Sequence, residues 1–186
     1  MRFWGNLLGY QAVWFCAVVA ASQGFVWPGL VTMALFAFWQ IHRAALPHVE
    51  LRLMAVALAC GLLLDGSLAM SGLARYALPG SAVPPGGAPL WILALWLSFA
   101  LTLTQSLRYL QKYLVLAALF GAIGGPLAYL GAARAFAVVE FQAPQWHGVL
   151  ALAAGWGLAM PLLAGLARRW STPQPMDFAS PRSELS

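Results

Sequence analysis

Charge is what this sequence has least of. Only 8% of its 186 residues are Asp, Glu, Lys or Arg, and 62% are hydrophobic. A soluble domain carries about a quarter charged residues, so a water-facing surface is excluded and lipid is the solvent that fits. Cysteine is also scarce. Cys16 and Cys60 both fall inside apolar runs, which excludes a disulfide framework. The ten Lys and Arg are spread between apolar runs rather than clustered, so the net charge of +5 points to membrane topology and not to nucleic acid. There is no Ser-His-Asp arrangement, phosphate loop, pair of intramembrane carboxylates or Cys-x-x-Cys. His42 and His48, with Glu50 nearby, match no metal-ligand spacing and read as a solvated loop. Neither a metal nor a cofactor is expected.

What is present is apolar sequence in helix-length runs. A spanning helix needs about 20 mostly apolar residues. Six runs fit, at 3–21, 26–41, 51–72, 90–107, 113–130 and 146–167. They predict an all-α polytopic membrane bundle of six transmembrane helices in a single domain over 1–170. The N-terminus has some look of a signal peptide, but Gln11 interrupts its apolar region and it reads as the first retained helix. The second and fourth runs are short, so they would tilt little, thin the bilayer or be partly re-entrant. Four prolines and three glycines in 78–89 exclude a helix there. The tail 171–186 lacks apolar periodicity and is expected to be a disordered cytoplasmic segment. The two three-helix halves do not align, which gives no support to an inverted-repeat transporter.

With both termini cytoplasmic, Arg2, Arg43, Arg52, Arg108, Lys112, Arg168, Arg169 and Arg182 fall inside, and only Arg75 and Arg134 outside. That is a strong positive-inside bias. Trp27, Trp91 and Trp146 then mark one interface, and Trp4, Trp39 and Trp170 the other.

Against this background Asp65 stands out as the one acid with apolar helix on both sides. A carboxyl group at membrane depth costs about 2.5–3.5 kcal/mol on insertion scales, so Asp65 must face other helices or a wet cavity. At roughly 10 Å below the outer surface, its possible partners are Arg75, Tyr129, Arg134, Glu140 and His147. It serves either as a structural hydrogen-bond partner or as a functional acid. A second, inner cluster comprises Asn6, Gln11, Gln40, Thr102, Thr104, Gln105 and Arg108, with Gln105 and Arg108 on one face. Helix–helix hydrogen bonding and snorkelling account most simply for it. In the fifth run, Gly121 and Gly125 form a small-xxx-small notch, and Pro126 should kink the helix by freeing the Ala122 carbonyl. That stretch is either packing or a cavity wall into which Tyr129 points its hydroxyl. The ligand-cavity candidates are therefore Asp65, Gly121, Gly125, Pro126, Tyr129, Arg134, Gln11, Gln105 and Arg108.

Four motifs occur together: Asn6-Leu-Leu-Gly-Tyr-Gln-Ala-Val-Trp-Phe-Cys16, Gly61-Leu-Leu-Leu-Asp-Gly-Ser67, Leu101-Thr-Leu-Thr-Gln-Ser-Leu-Arg-Tyr-Leu110 and Gly121-Ala-Ile-Gly-Gly-Pro-Leu-Ala-Tyr129. Their order resembles an uncharacterised family of small bacterial inner-membrane proteins, the domain of unknown function DUF2878. The resemblance spans residues 3–167 and carries no catalytic residues. It implies a multi-pass protein of the inner (cytoplasmic) membrane and, through genes for lipid-modifying methyltransferases, a link to lipid metabolism. The expected role is lipid association: binding a lipid or isoprenoid-like molecule, or assisting a lipid-modifying enzyme, with membrane lipids as partners. The rivals are an intramembrane lipid-modifying enzyme using Asp65 as acid or base, a small transporter, and a structural membrane partner. The two separate polar layers count against the transporter.

Overall fold

The computed structural model describes residues 2–171. The tail expected to be disordered lies, from residue 172 on, outside the described residues. Six α-helices carry the fold: α1 (Arg2–Ser22), α2 (Trp27–His42), α3 (Pro47–Met70), α4 (Leu90–Ala100), α5 (Leu114–Phe136) and α6 (Trp146–Ser171). Proline sits in the first turn of α2 and α3, where its missing N–H costs nothing. Four very short strands join them. β1 (Ala74–Tyr76) pairs antiparallel with β4 (Val139–Phe141), and β2 (Ala82–Val83) pairs with β3 (Ala88–Pro89). Both ribbons lie at one end of the bundle, where α3 and α5 finish and α4 and α6 begin.

The bundle is helical as expected, but four helices rather than six are long and apolar enough to cross a membrane: α1, α3, α5 and α6. α2 has 16 residues and α4 has 11. At 1.5 Å per residue these reach about 24 Å and about 16 Å, against a hydrocarbon core of about 30 Å. The fourth run was expected to stay helical to residue 107. It unwinds at Leu101 because the hydroxyls and amides that follow offer the backbone other partners. The Thr102 hydroxyl donates to the Phe99 carbonyl at 2.7 Å, and the Leu107 N–H reaches back to the Thr102 carbonyl at 2.8 Å. A single 3-10 turn, Arg108–Gln111, then leads into α5.

Eight of the eleven residues of α4 are buried. It packs against α1, α2 and α3 as the central element. The long helices surround it and expose apolar faces, as Leu63, Val115, Ile123, Leu127 and Leu158 show. Glycines set the closest approaches. α5 and α6 form the most extensive pair, and a Cβ at Gly121 would stand 2.2 Å from the Trp156 carbonyl oxygen. The Gly121–Gly125 notch is thus filled by α6. Pro126 lies inside α5, which runs unbroken from Leu114 to Phe136.

Candidate functional site

Two polar assemblies and a mid-height cavity stand out on this frame. At the end opposite the ribbons, the unwound segment after α4 has backbone groups without helical partners. Such groups are tolerated at membrane depth only where protein satisfies them. Asn6 does most of this. Its Nδ2 donates to the Leu101 carbonyl at 3.0 Å, and its Oδ1 accepts from the Ser106 hydroxyl at 2.6 Å and the Ser106 N–H at 3.3 Å. Gln40 Nε2 donates to the same Leu101 carbonyl at 3.4 Å, and Gln111 Nε2 to the Leu103 carbonyl at 2.8 Å. The Thr104 hydroxyl donates to Glu50 Oε1 at 2.5 Å. The structure therefore joins Asn6, Gln40, Thr102 and Thr104 of the inner cluster around this break. Gln11 and Arg108 are exposed and stand apart from it, and Gln105 is half-buried.

Glu50 corrects the reading of 42–50 as a solvated loop. It occupies the first turn of α3, is buried, and its Oε2 has no hydrogen-bond partner. Among the described residues no three His, Cys, Asp or Glu side chains gather to hold a metal.

The second assembly surrounds Asp65, which is fully buried in α3. Tyr129 of α5 donates its hydroxyl to Oδ1 at 2.7 Å, and Tyr76 of β1 does the same at 2.9 Å. Trp96 of α4 donates its indole N–H to Oδ2 at 2.7 Å. Hydrogen bonds of this kind contribute about 1–3 kcal/mol each, so three neutral donors offset an insertion cost of about 2.5–3.5 kcal/mol without a counter-charge. Burial, and then the adjacent Asp65 carboxylate, push the Tyr76 phenol well above its ordinary pKa. Tyr76 therefore remains a donor at any physiological pH.

Of the partners expected for Asp65, only Tyr129 is one. Arg75 and Glu140 face each other in the β1–β4 register with both side chains exposed, on the side of the ribbon away from Tyr76. Arg134 and His147 are exposed too, and His147 lies against the Trp146 ring. Charged groups at that end find water more cheaply than a buried carboxyl.

Gly61 explains how Trp96 reaches Asp65. The two α3 residues are four apart and share a face. A Cβ at Gly61 would stand 2.5 Å from Trp96 Cδ1, so only glycine lets the indole lie flat along α3 with its N–H over the carboxylate. Trp156 of α6 stacks on Trp96 at 4.0 Å and 12°, and Phe99 meets Trp156 edge-on at 5.2 Å. Sequence reasoning missed Trp96, Trp156 and Tyr76. The available signal was the Gly61-to-Asp65 spacing, which marks a ring-sized gap beside a buried acceptor.

Trp96, Phe99 and Trp156 form one wall of a cavity of about 430 Å³. α1 supplies Tyr10, Gln11, Trp14 and Phe15. α4 supplies Leu95, Trp96 and Phe99. α5 supplies Phe120, Gly121, Gly124, Gly125, Ala128 and Tyr129, and α6 supplies Trp156 and Met160. The lining residues fall at mid-height on the three long helices. α1 and α5 touch only lightly, and the exposed lining residues Gln11, Phe15 and Phe120 lie on these two helices, so the mouth opens between them on an apolar flank. Of the cavity candidates named from sequence, Gln11, Gly121, Gly125 and Tyr129 line it. Asp65 lies behind Trp96 and Tyr129. Pro126, Arg134, Gln105 and Arg108 are not in its lining: Pro126 is buried, Arg134 and Arg108 are exposed, and Gln105 belongs to the segment after α4.

No curated protein and no solved structure matches the chain. A family model does match, over residues 3–162, and so covers α1 to α5 and most of α6. The Asp65 assembly and the cavity both fall within that match, and the chain belongs to the family described as Protein of unknown function (DUF2878).

Proposed function

We propose that this is a lipid-associated integral protein of the bacterial inner membrane that holds a lipid or isoprenoid-like molecule in the cavity between α1 and α5. The observation that carries this reading is the position of the mouth. A cavity of about 430 Å³ lies within the range of small-molecule sites, about 300–1,000 Å³. Its opening lies at mid-height between two helices that are long and apolar enough to cross a membrane. A ligand arriving by that route has to be soluble in hydrocarbon.

Asp65 acts in this reading as a positioning residue. Its carboxyl is enclosed, and it fixes the Trp96 and Tyr129 side chains that face the ligand. This argues against its working directly as an acid or base on a substrate.

Native mass spectrometry of the gently solubilised protein, with identification of co-purifying lipid, tests the reading. Gly125 is a poor place to fill the cavity, because a Cβ there would stand 2.5 Å from the Trp156 ring. Gly124 also lines the cavity, and a Cβ there meets nothing nearer than 3.9 Å. Gly124→Leu should therefore fold and fill the space. A defined lipid on wild type that is absent from Gly124→Leu is the expected outcome. The same bulk phospholipid on both proteins would contradict the proposal and favour a partner or scaffold role.

A further inference from the structure

We infer that the cavity selects a single-chain amphiphile capped by an uncharged oxygen group, and rejects phosphate-bearing lipids. The inference rests on the cavity reading above and concerns which lipid class the site takes. No Asp, Glu, His, Lys or Arg lines the cavity. A phosphate drawn into it would lose its water and meet no cation.

The polar groups that do line it are neutral, and those of Tyr10 and Gln11 are without protein partners. Tyr10 and Gln11 are adjacent on α1, and neither the Tyr10 hydroxyl nor the Gln11 amide makes a hydrogen bond with any described residue. The Tyr10 ring is held edge-on against Phe99, with centroids 5.8 Å apart, so its position is fixed by packing alone. Across the cavity, the Trp156 indole N–H is buried beside the Tyr129 hydroxyl, which is already committed to Asp65. A hydroxyl or carbonyl oxygen at the Tyr10–Gln11 side would find a donor and an acceptor together, with its chain running along the Trp156 and Met160 wall. A volume near the lower end of ligand sites suits one chain rather than two.

The test uses the full chain in nanodiscs with a diazirine-bearing hexadecanol as photoprobe, and with hexadecanol and hexadecyl phosphate as competitors. Labelled peptides are mapped by mass spectrometry. The expected result is saturable labelling on α1 and α5, competed about tenfold better by the alcohol than by the phosphate. The variant carrying Tyr10→Phe and Gln11→Leu keeps the Phe99 ring contact and removes only the Tyr10 hydroxyl and an exposed amide. It should weaken the alcohol about tenfold, the equivalent of one well-made hydrogen bond. It should leave hexadecyl phosphate unaffected. Competition by the phosphate equal to or better than the alcohol would overturn the headgroup inference while leaving the cavity as a lipid site. Unchanged alcohol affinity in the double variant would remove Tyr10 and Gln11 from recognition. Absence of saturable labelling would overturn the cavity reading itself.

Discussion

At the scale of single residues, the strongest constraint is Asp65 and the three side chains that donate to it. Replacing Asp65 by Asn puts an NH₂ donor where an acceptor is needed, opposite the Trp96 N–H or the paired tyrosine hydroxyls. A buried donor left unmatched costs about 1–3 kcal/mol. Asp65→Asn should therefore lower thermal stability in detergent clearly more than Tyr76→Phe, which removes one of three donors. Equal losses in the two variants would contradict the account. Gly61→Ala should be comparably damaging, because the added methyl displaces the Trp96 ring from the carboxylate. The importance of Asp65 was legible in the sequence from its isolation in an apolar run. Of its partners, Tyr129 was named from the sequence, whereas Tyr76 and Trp96, 11 and 31 residues away, were not, because neutral aromatic donors carry no charge signal that pairs them with a carboxyl group. Glu50 was misread for a separate reason. The third apolar run was started at residue 51, whereas Pro47 begins the helix four residues earlier.

At the scale of elements, α4 and the segment after it decide what the bundle can enclose. A central helix of 11 residues followed by irregular backbone is stable here only because side chains of α1 and α2 take the freed groups. Asn6→Leu removes partners from the Leu101 carbonyl and from Ser106 together, and should cost more than about 2 kcal/mol in dodecyl-sulfate unfolding. Gln40→Leu should cost under about 1 kcal/mol, since its 3.4 Å bond leaves the shorter Asn6 bond in place. Similar losses in the two variants would argue against Asn6 as the main support. The sequence reading placed the start of the fourth helix correctly and its end seven residues late. Hydropathy alone does not reveal that Thr102, Thr104 and Ser106 redirect hydrogen bonds, because the leucines between them keep the run apolar.

At the scale of the whole molecule, the positive-inside bias and the alternation of the helices make a single statement about sidedness. Val83, in the β2–β3 ribbon, and Tyr109, in the turn before α5, are both exposed and lie toward opposite ends of the bundle. Single cysteines at these two positions, in a background lacking Cys16 and Cys60, should label from opposite sides of the membrane. Labelling from one side would contradict the alternation. Apolar length alone identifies four helices able to cross a membrane, and the shielding of α4 by its neighbours lets that short helix belong to the same bundle. The cavity was partly legible, since Gly121, Gly125 and Tyr129 marked the α5 wall. On the α1 wall only Gln11 was marked, because Tyr10 and Trp14 carry no signal in a single apolar run that distinguishes a cavity lining from a packed or lipid-facing surface.

The most direct test of the lipid-cavity claim is an experimental map of the protein in nanodiscs, held by a bound antibody fragment. The account predicts one elongated density between α1 and α5, lying on the Trp156 ring and ending beside Tyr10 and Gln11. A collapsed site, with Trp14 packed onto Gly124 and no space left between the helices, would contradict it.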